Sequence, residues 1–179
     1  METLPYDETA ENGVLGSVIL NEGEYELVSK YFVDTEVFYQ DSARLLWKKI
    51  KQMKRNKDKI DTLSVSMAVN KKDTQRGLTK HYVVTCTGGS CSKGMTEFHA
   101  RTLYDKFLMR KIIVKAEEIK TKAEDNTHDI YKTISETHSI LSEILNTRPT
   151  VASDIDDVIA ETVNSIQNKD TKLIKTGYA

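Results

Sequence analysis

The sequence predicts an all-α protein: a small helical bundle over residues 1–95, a long antiparallel helical hairpin over 96–146, and a C-terminal linker helix within 147–179. Two observations carry this. Only two prolines and eight glycines punctuate 179 residues, too few for a strand-rich fold with frequent turns. Apolar residues recur at helical spacing in one segment after another, separated by short polar breaks.

The first helix runs through Leu20 from Asp7, which is placed to cap it, with acidic residues in its first turn. It sets Ala10, Val14, Leu15, Val18 and Ile19 on one face. Asn21 to Gly23 break it, and Tyr25, Val28 and Phe32 mark a shorter second helix. Asp41 to Asn56 carries the clearest stripe, Ala43, Leu46, Trp47, Ile50 and Met53. Asp61 and Thr62 open a short fourth helix through Leu63 and Met67.

From Thr96 to about Asp125 nothing interrupts a helix of roughly 45 Å at 1.5 Å per residue. Tyr104, Leu108, Ile112, Ala116, Ile119 and Ala123 follow one another along it. A polar turn at Asn126 to His128 leads into Ile130, Ile134, Leu141 and Leu145, spaced for a helix running back against the first. Tyr104, Leu108, Ile112, Ile134 and Leu141 cannot all be buried between two helices, so the hairpin is expected to carry an oligomer interface on its outer face. Thr147-Arg148-Pro149-Thr150 is the linker, since proline pushes the residue before it out of the helical region. Beyond it Ser153 and Asp156 resemble a capping box, opening an amphipathic helix with Ile155, Ile159, Val163 and Ile166 on one side. A lone helix of about four turns is marginal in water, and its stripe implies a docking partner.

Composition narrows the function classes. Apolar residues make up 39% and charged residues 30%, and no apolar run approaches the ~20 residues that span a bilayer. The start, Met1 to Tyr6, lacks the basic and apolar regions of a secretory signal, so a cytoplasmic location and free thiols at the two cysteines are expected. With 26 basic and 27 acidic residues there is no global field toward nucleic acid. One local cluster, Lys48, Lys49, Lys51, Lys54, Arg55, Lys57 and Lys59, could meet phosphate backbone or an acidic partner. A solvated helix face accounts for it more simply, because no aromatic is interleaved for base stacking.

Two segments invite a chemical reading. His81 to Thr87 has strand-like propensity and is followed by a glycine-containing stretch, Gly88 to Thr96, ahead of a helix. That is the order of a phosphate-binding loop, and Gly89, Gly94 and Thr96 fit its spacing. Met95 stands where the essential lysine belongs, so an ordinary turn is favoured. His81, Cys86, Cys91 and His99 supply four metal-type ligands, but at a spacing unlike any familiar zinc site. Structural thiols and surface histidines are the expectation. No catalytic, cofactor or metal residue is assigned.

Several short motifs, in order, resemble the N-terminal domain of the bacterial DnaB-type replicative helicases. Pro5, Glu11 and Val14-Leu15-Gly16 are similar to that family's opening helix, Phe38-Tyr39 ahead of Trp47 to its aromatic pair, and Ile60-Asp61-Thr62 to its fourth-helix entry. Phe98-His99-Ala100-Arg101 through Phe107 to Arg110-Lys111 resembles its first hairpin helix, and Thr176-Gly177-Tyr178 the stretch that opens its RecA-like motor. The resemblance implies a short helix near Leu78 to Cys86, against the local propensity. It implies a non-catalytic collar: domains paired through their hairpins, three pairs in a hexamer, engaging primase, with DNA reached through the full ring. The 155–166 helix resembles the family's linker helix, which docks on a neighbouring motor. ATP and magnesium, and 5'-3' unwinding, would belong to that motor, which is expected beyond the linker. The helicase-interaction domain of a primase is the competing reading, and a small metal- or nucleic-acid-binding regulator a third.

Overall fold

The computed structural model describes residues 4–92, 94–124 and 129–146. Among them are eight α-helices and one 3-10 turn, with no strand. The chain divides into two units, Met1–Arg148 and Pro149–Ala179, and the described residues all belong to the first.

Helix α1 (Glu8–Leu20) is the axle of the head. Asp7 caps it, its side chain accepting from the amide of Ala10. The predicted stripe is buried, and so are Glu11, Gly13, Gly16 and Ser17. A helix buried on nearly all sides needs neighbours all round. α6 (Lys80–Gly88) and α7 (Thr96–Glu124) provide most of the cover, with α3 (Asp41–Asn56) against a further face. Gly16 is what lets α6 approach, since a Cβ there would lie 1.9 Å from the carbonyl oxygen of Cys86.

α2 (Gly23–Ser29) delivers Val28 and, just past its end, Phe32 to the core. Phe32, Phe38 and Trp47 form one aromatic cluster, and the buried Trp47 indole donates to the Phe32 carbonyl at 3.0 Å. The five apolar residues predicted for α3 are all buried. The helix ends where Lys57 turns to φ 61°, its amide reaching the carbonyls of Met53 and Lys54.

The structure departs from the sequence reading at one helix, and at another it overrides the local propensity. α4 (Thr62–Ala68) is present with Asp61 as its cap, but it buries Val65. Leu63 and Met67 are 70% and 72% exposed, so the spacing located the helix and picked its outer side. α6 is helical through the strand-like Tyr82 to Thr85, started by Thr79, whose hydroxyl accepts from the amide of Tyr82 at 3.0 Å. This is the helix the family resemblance implied. Packing of Val83 and Cys86 against α1 outweighs a propensity worth tenths of a kcal/mol per residue. A short helix α5 (Lys71–Gln75), closed by an Asn70–Asp73 capping box, was not anticipated. Lys49 holds it, pairing with Asp73 at 2.8 Å and donating to the Ala68 carbonyl at 2.7 Å.

Only the first half of α7 lies in the head, with Thr96, Ala100, Leu103, Tyr104, Phe107 and Arg110 buried. α8 (Ile130–Asn146) packs back along its second half. Lys122 pairs with Glu136 at 2.6 Å near the turn, while Val114 and Glu118 share a cleft with Ile140 and Ile144 nearer the head. That ordering is antiparallel.

Candidate functional site

The root of the hairpin rests on the 3-10 turn Thr35–Val37 and the loop that follows it to Gln40, called the root loop below, gripped by charged side chains from three helices. Arg110 of α7 donates to the carbonyls of Glu36 at 2.9 Å and Val37 at 2.7 Å, and its other terminal nitrogen reaches the Pro5 carbonyl at 2.8 Å. Arg44 of α3 donates to the Phe38 carbonyl at 2.7 Å. Glu11 of α1, 1% exposed, accepts from the amides of Tyr39 and Gln40. Loops that bury backbone polar groups must satisfy them, and here charged groups do so. Burial pushes the Glu11 carboxyl up from its ordinary range, while the two amides and the Arg110 charge pull it back. The Tyr39 ring has the Arg110 guanidinium over it and the Tyr6 ring stacked with it at 4.7 Å.

Past Arg110 no described residue of α7 is buried, and on α8 only Thr133 is. α8 is partly covered at Thr137, Ile140 and Ile144, whereas Ile130, Ile134, Leu141 and Leu145 stand 57%, 58%, 48% and 61% exposed. Ile112 and Ile113 of α7 are 47% and 45% exposed. This density of exposed branched aliphatic residues makes the hairpin the candidate interaction surface of the described residues. Of the five residues predicted for that face, Ile112, Ile134 and Leu141 are on the surface. Leu108 is half-buried against the core. Tyr104 is a correction: at 7% exposure it is a core residue, packed on Tyr31 and Phe107. Fourfold steps along α7 drift off the buried side, whose true sequence is 100, 103, 104, 107 and 110.

A cleft of about 350 Å³ opens between the hairpin and the root loop. Tyr39, Arg44 and Arg110 form its floor, and Val114, Ile140 and Ile144 its hairpin side. Sequence reasoning marked Glu11 and Arg110 only through the family resemblance. A buried charge has no periodic signature, and nothing local tells a carboxylate in a helix that it will cap a loop.

The other candidates disperse. The basic cluster is divided: Lys54 pairs with Glu22 at 2.8 Å and Glu26 at 3.4 Å, Lys51 donates to the Val33 carbonyl, and Lys49 is committed to α5. Lys48 and Arg55 are exposed. Gly89 to Thr96 follows a helix, not a strand, and Thr96 is buried at the start of α7, so the loop lacks the strand a phosphate site needs. Cys86 is buried beside Asn12, its thiol pushed up to about 12 by desolvation, and Cys91 is half-buried. Among the described residues no group of three or more histidines, cysteines and carboxylates could hold a metal ion, and no helix is long and apolar enough to cross a membrane. Ile155, Ile159, Val163 and Ile166 lie outside the described residues.

Comparison with known proteins bears on this arrangement. A family model described as the DnaB-like helicase N terminal domain matches residues 3–105. The crystal structure of the N-terminal domain of DnaB helicase from Mycobacterium tuberculosis is similar with a TM-score of 0.70 at 15% identity, over 79% of this chain and 99% of that one. The structure of a DnaB-like replicative helicase, solved with its interactions with primase, is similar with a TM-score of 0.60 at 24% identity, over 87% of this chain but 34% of that one. At these identities the likeness shows the fold. No curated protein matches the chain in sequence.

Proposed function

Because the chain belongs to the DnaB-like helicase N-terminal domain family, whose model covers more than half of it, we propose that it is the non-catalytic collar of a hexameric replicative helicase, assembling subunits through its hairpin and engaging primase. The observation that carries this is the hairpin itself. A well-buried head holds out two helices whose Ile112, Ile134, Leu141 and Leu145 side chains stay about half exposed or more. An isologous pairing of two such faces would bury them twice over. Engagement of primase rests on the similar helicase of which it is recorded. ATP, magnesium and unwinding would belong to a motor joined through residues 147–179, whose Ile155, Ile159, Val163 and Ile166 would dock on a neighbouring subunit.

Sedimentation of the purified chain from about 1 to 200 µM tests the assembly reading, within the range where specific pairs of this size associate. A concentration-dependent dimer or larger species is expected. A monomer at every concentration overturns it.

A further inference from the structure

The hairpin has one mechanical root. α7 is continuous from head to tip, so the direction in which the hairpin leaves is the direction of α7. That direction is set by how its last embedded turn is seated. Arg110 is the last buried residue of the helix, and its partners are backbone carbonyls on two separate segments, Pro5 on one and Glu36 and Val37 on the other. The same guanidinium lies 5.6 Å from the Tyr39 ring centre and 5.9 Å from that of Phe107. A planar fork can satisfy three carbonyls and lie against rings at once, which an ammonium cannot.

The far side of the clasp is equally fixed. Glu11 and Arg44 hold the next three residues of the loop, so the seat belongs to α1 and α3 and moves only with the head. Beside this seat the open cleft of about 350 Å³ leaves the hairpin room to lean toward the root loop. The fourteen residues from Lys111 to Glu124 make a lever of about 20 Å. A slip of about 1 Å across one 5.4 Å turn at the root therefore displaces the tip by about 4 Å.

We propose that Arg110 is a positioning residue that sets the angle at which the hairpin leaves the head, and so the angle at which its exposed face meets a partner. The second half of that statement rests on the assembly reading above; the first does not. Spin labels at Gln52→Cys on α3 and Thr121→Cys near the hairpin tip, both exposed positions, report the tilt. They would be placed in a Cys91→Ser chain, where the remaining thiol, Cys86, is buried, and diluted into unlabelled protein so that distances are read within one chain. The parent is expected to give one narrow distance distribution. Arg110→Met should broaden or shift it by about 4 Å, with Arg110→Lys between the two, while the emission of Trp47, buried in the head, stays unchanged. Distances unaltered in both variants overturn the proposal. If Arg110→Met disturbs Trp47, the decision passes to Arg110→Lys and to removal of residues 1–6, which takes away the Pro5 carbonyl and the Tyr6 ring. Unaltered distances in these two folded variants also overturn it. Altered tilt in a chain that never self-associates would sustain the role of Arg110 and remove only the assembly reading.

Discussion

Replacing Ile134 by aspartate is the sharpest perturbation of the hairpin face. Ile134 is 58% exposed in the single chain, so just over half of its side chain remains to be buried. Full burial of an isoleucine contributes about 1.5–3 kcal/mol, which leaves about 0.9–1.7 kcal/mol for an interface. In an isologous pair the position occurs twice, so the lost apolar contribution alone is about 1.8–3.4 kcal/mol per dimer. That corresponds to a Kd roughly 20- to 300-fold weaker, at 1.4 kcal/mol per tenfold. Burying an unpartnered carboxylate adds to the loss. Sedimentation equilibrium of the parent and Ile134→Asp chains measures the shift, and melting curves taken at concentrations where both chains are monomeric should overlay, because Ile134 supports little of the monomer's packing. Leu63→Asp is the control: 70% exposed on α4, away from the hairpin, it should leave the Kd unaltered. An Ile134→Asp chain that associates as tightly as the parent refutes this placement of the interface.

Gly16→Ala should cost about 3 kcal/mol or more in urea unfolding, at the upper end for overpacking, because its Cβ would meet the Cys86 carbonyl at 1.9 Å and α1 and α6 must part; a neutral result would contradict the tight α1–α6 contact. Asp73→Asn should lower the melting temperature at pH 7 and not at low pH. Lys49 and the Asn70 amide hold the Asp73 carboxyl below its ordinary range, so its contribution is present above the unfolded pKa and lost as pH falls through the folded one. A melting-temperature gap that persisted to pH 2 would show that the loss is one of packing. Ending the chain after Asn146 should shift the melting temperature by less than about 2 °C if residues 147–179 serve as a linker, since 1 kcal/mol moves a domain of this size by roughly 2–4 °C; a drop several times larger would show that this segment packs on its own domain.

Where a long helix sets one side against the core and the other in water, periodicity in the sequence was enough to locate the helix. α3 is the clear case: Asp41 to Asn56, with all five of its stripe residues buried. The position of α1, the length of α7 and the return of α8 follow from the same physics, because burial of apolar area acts on every third or fourth residue and leaves a readable trace. Two features were settled only by tertiary contact. α6 is helical through Tyr82 to Thr85 because α1 offers it a buried seat at Gly16, a residue some seventy positions away. α4 turns Val65 inward and leaves Leu63 and Met67 out because these lie on the opposite side of a short helix from Val65, and the neighbouring helices choose which side is buried. The root clasp is the furthest from legible. Glu11, Arg44 and Arg110 come from three helices to one loop, and a charge becomes a structural group only where a distant backbone presents the amides and carbonyls that let it be buried.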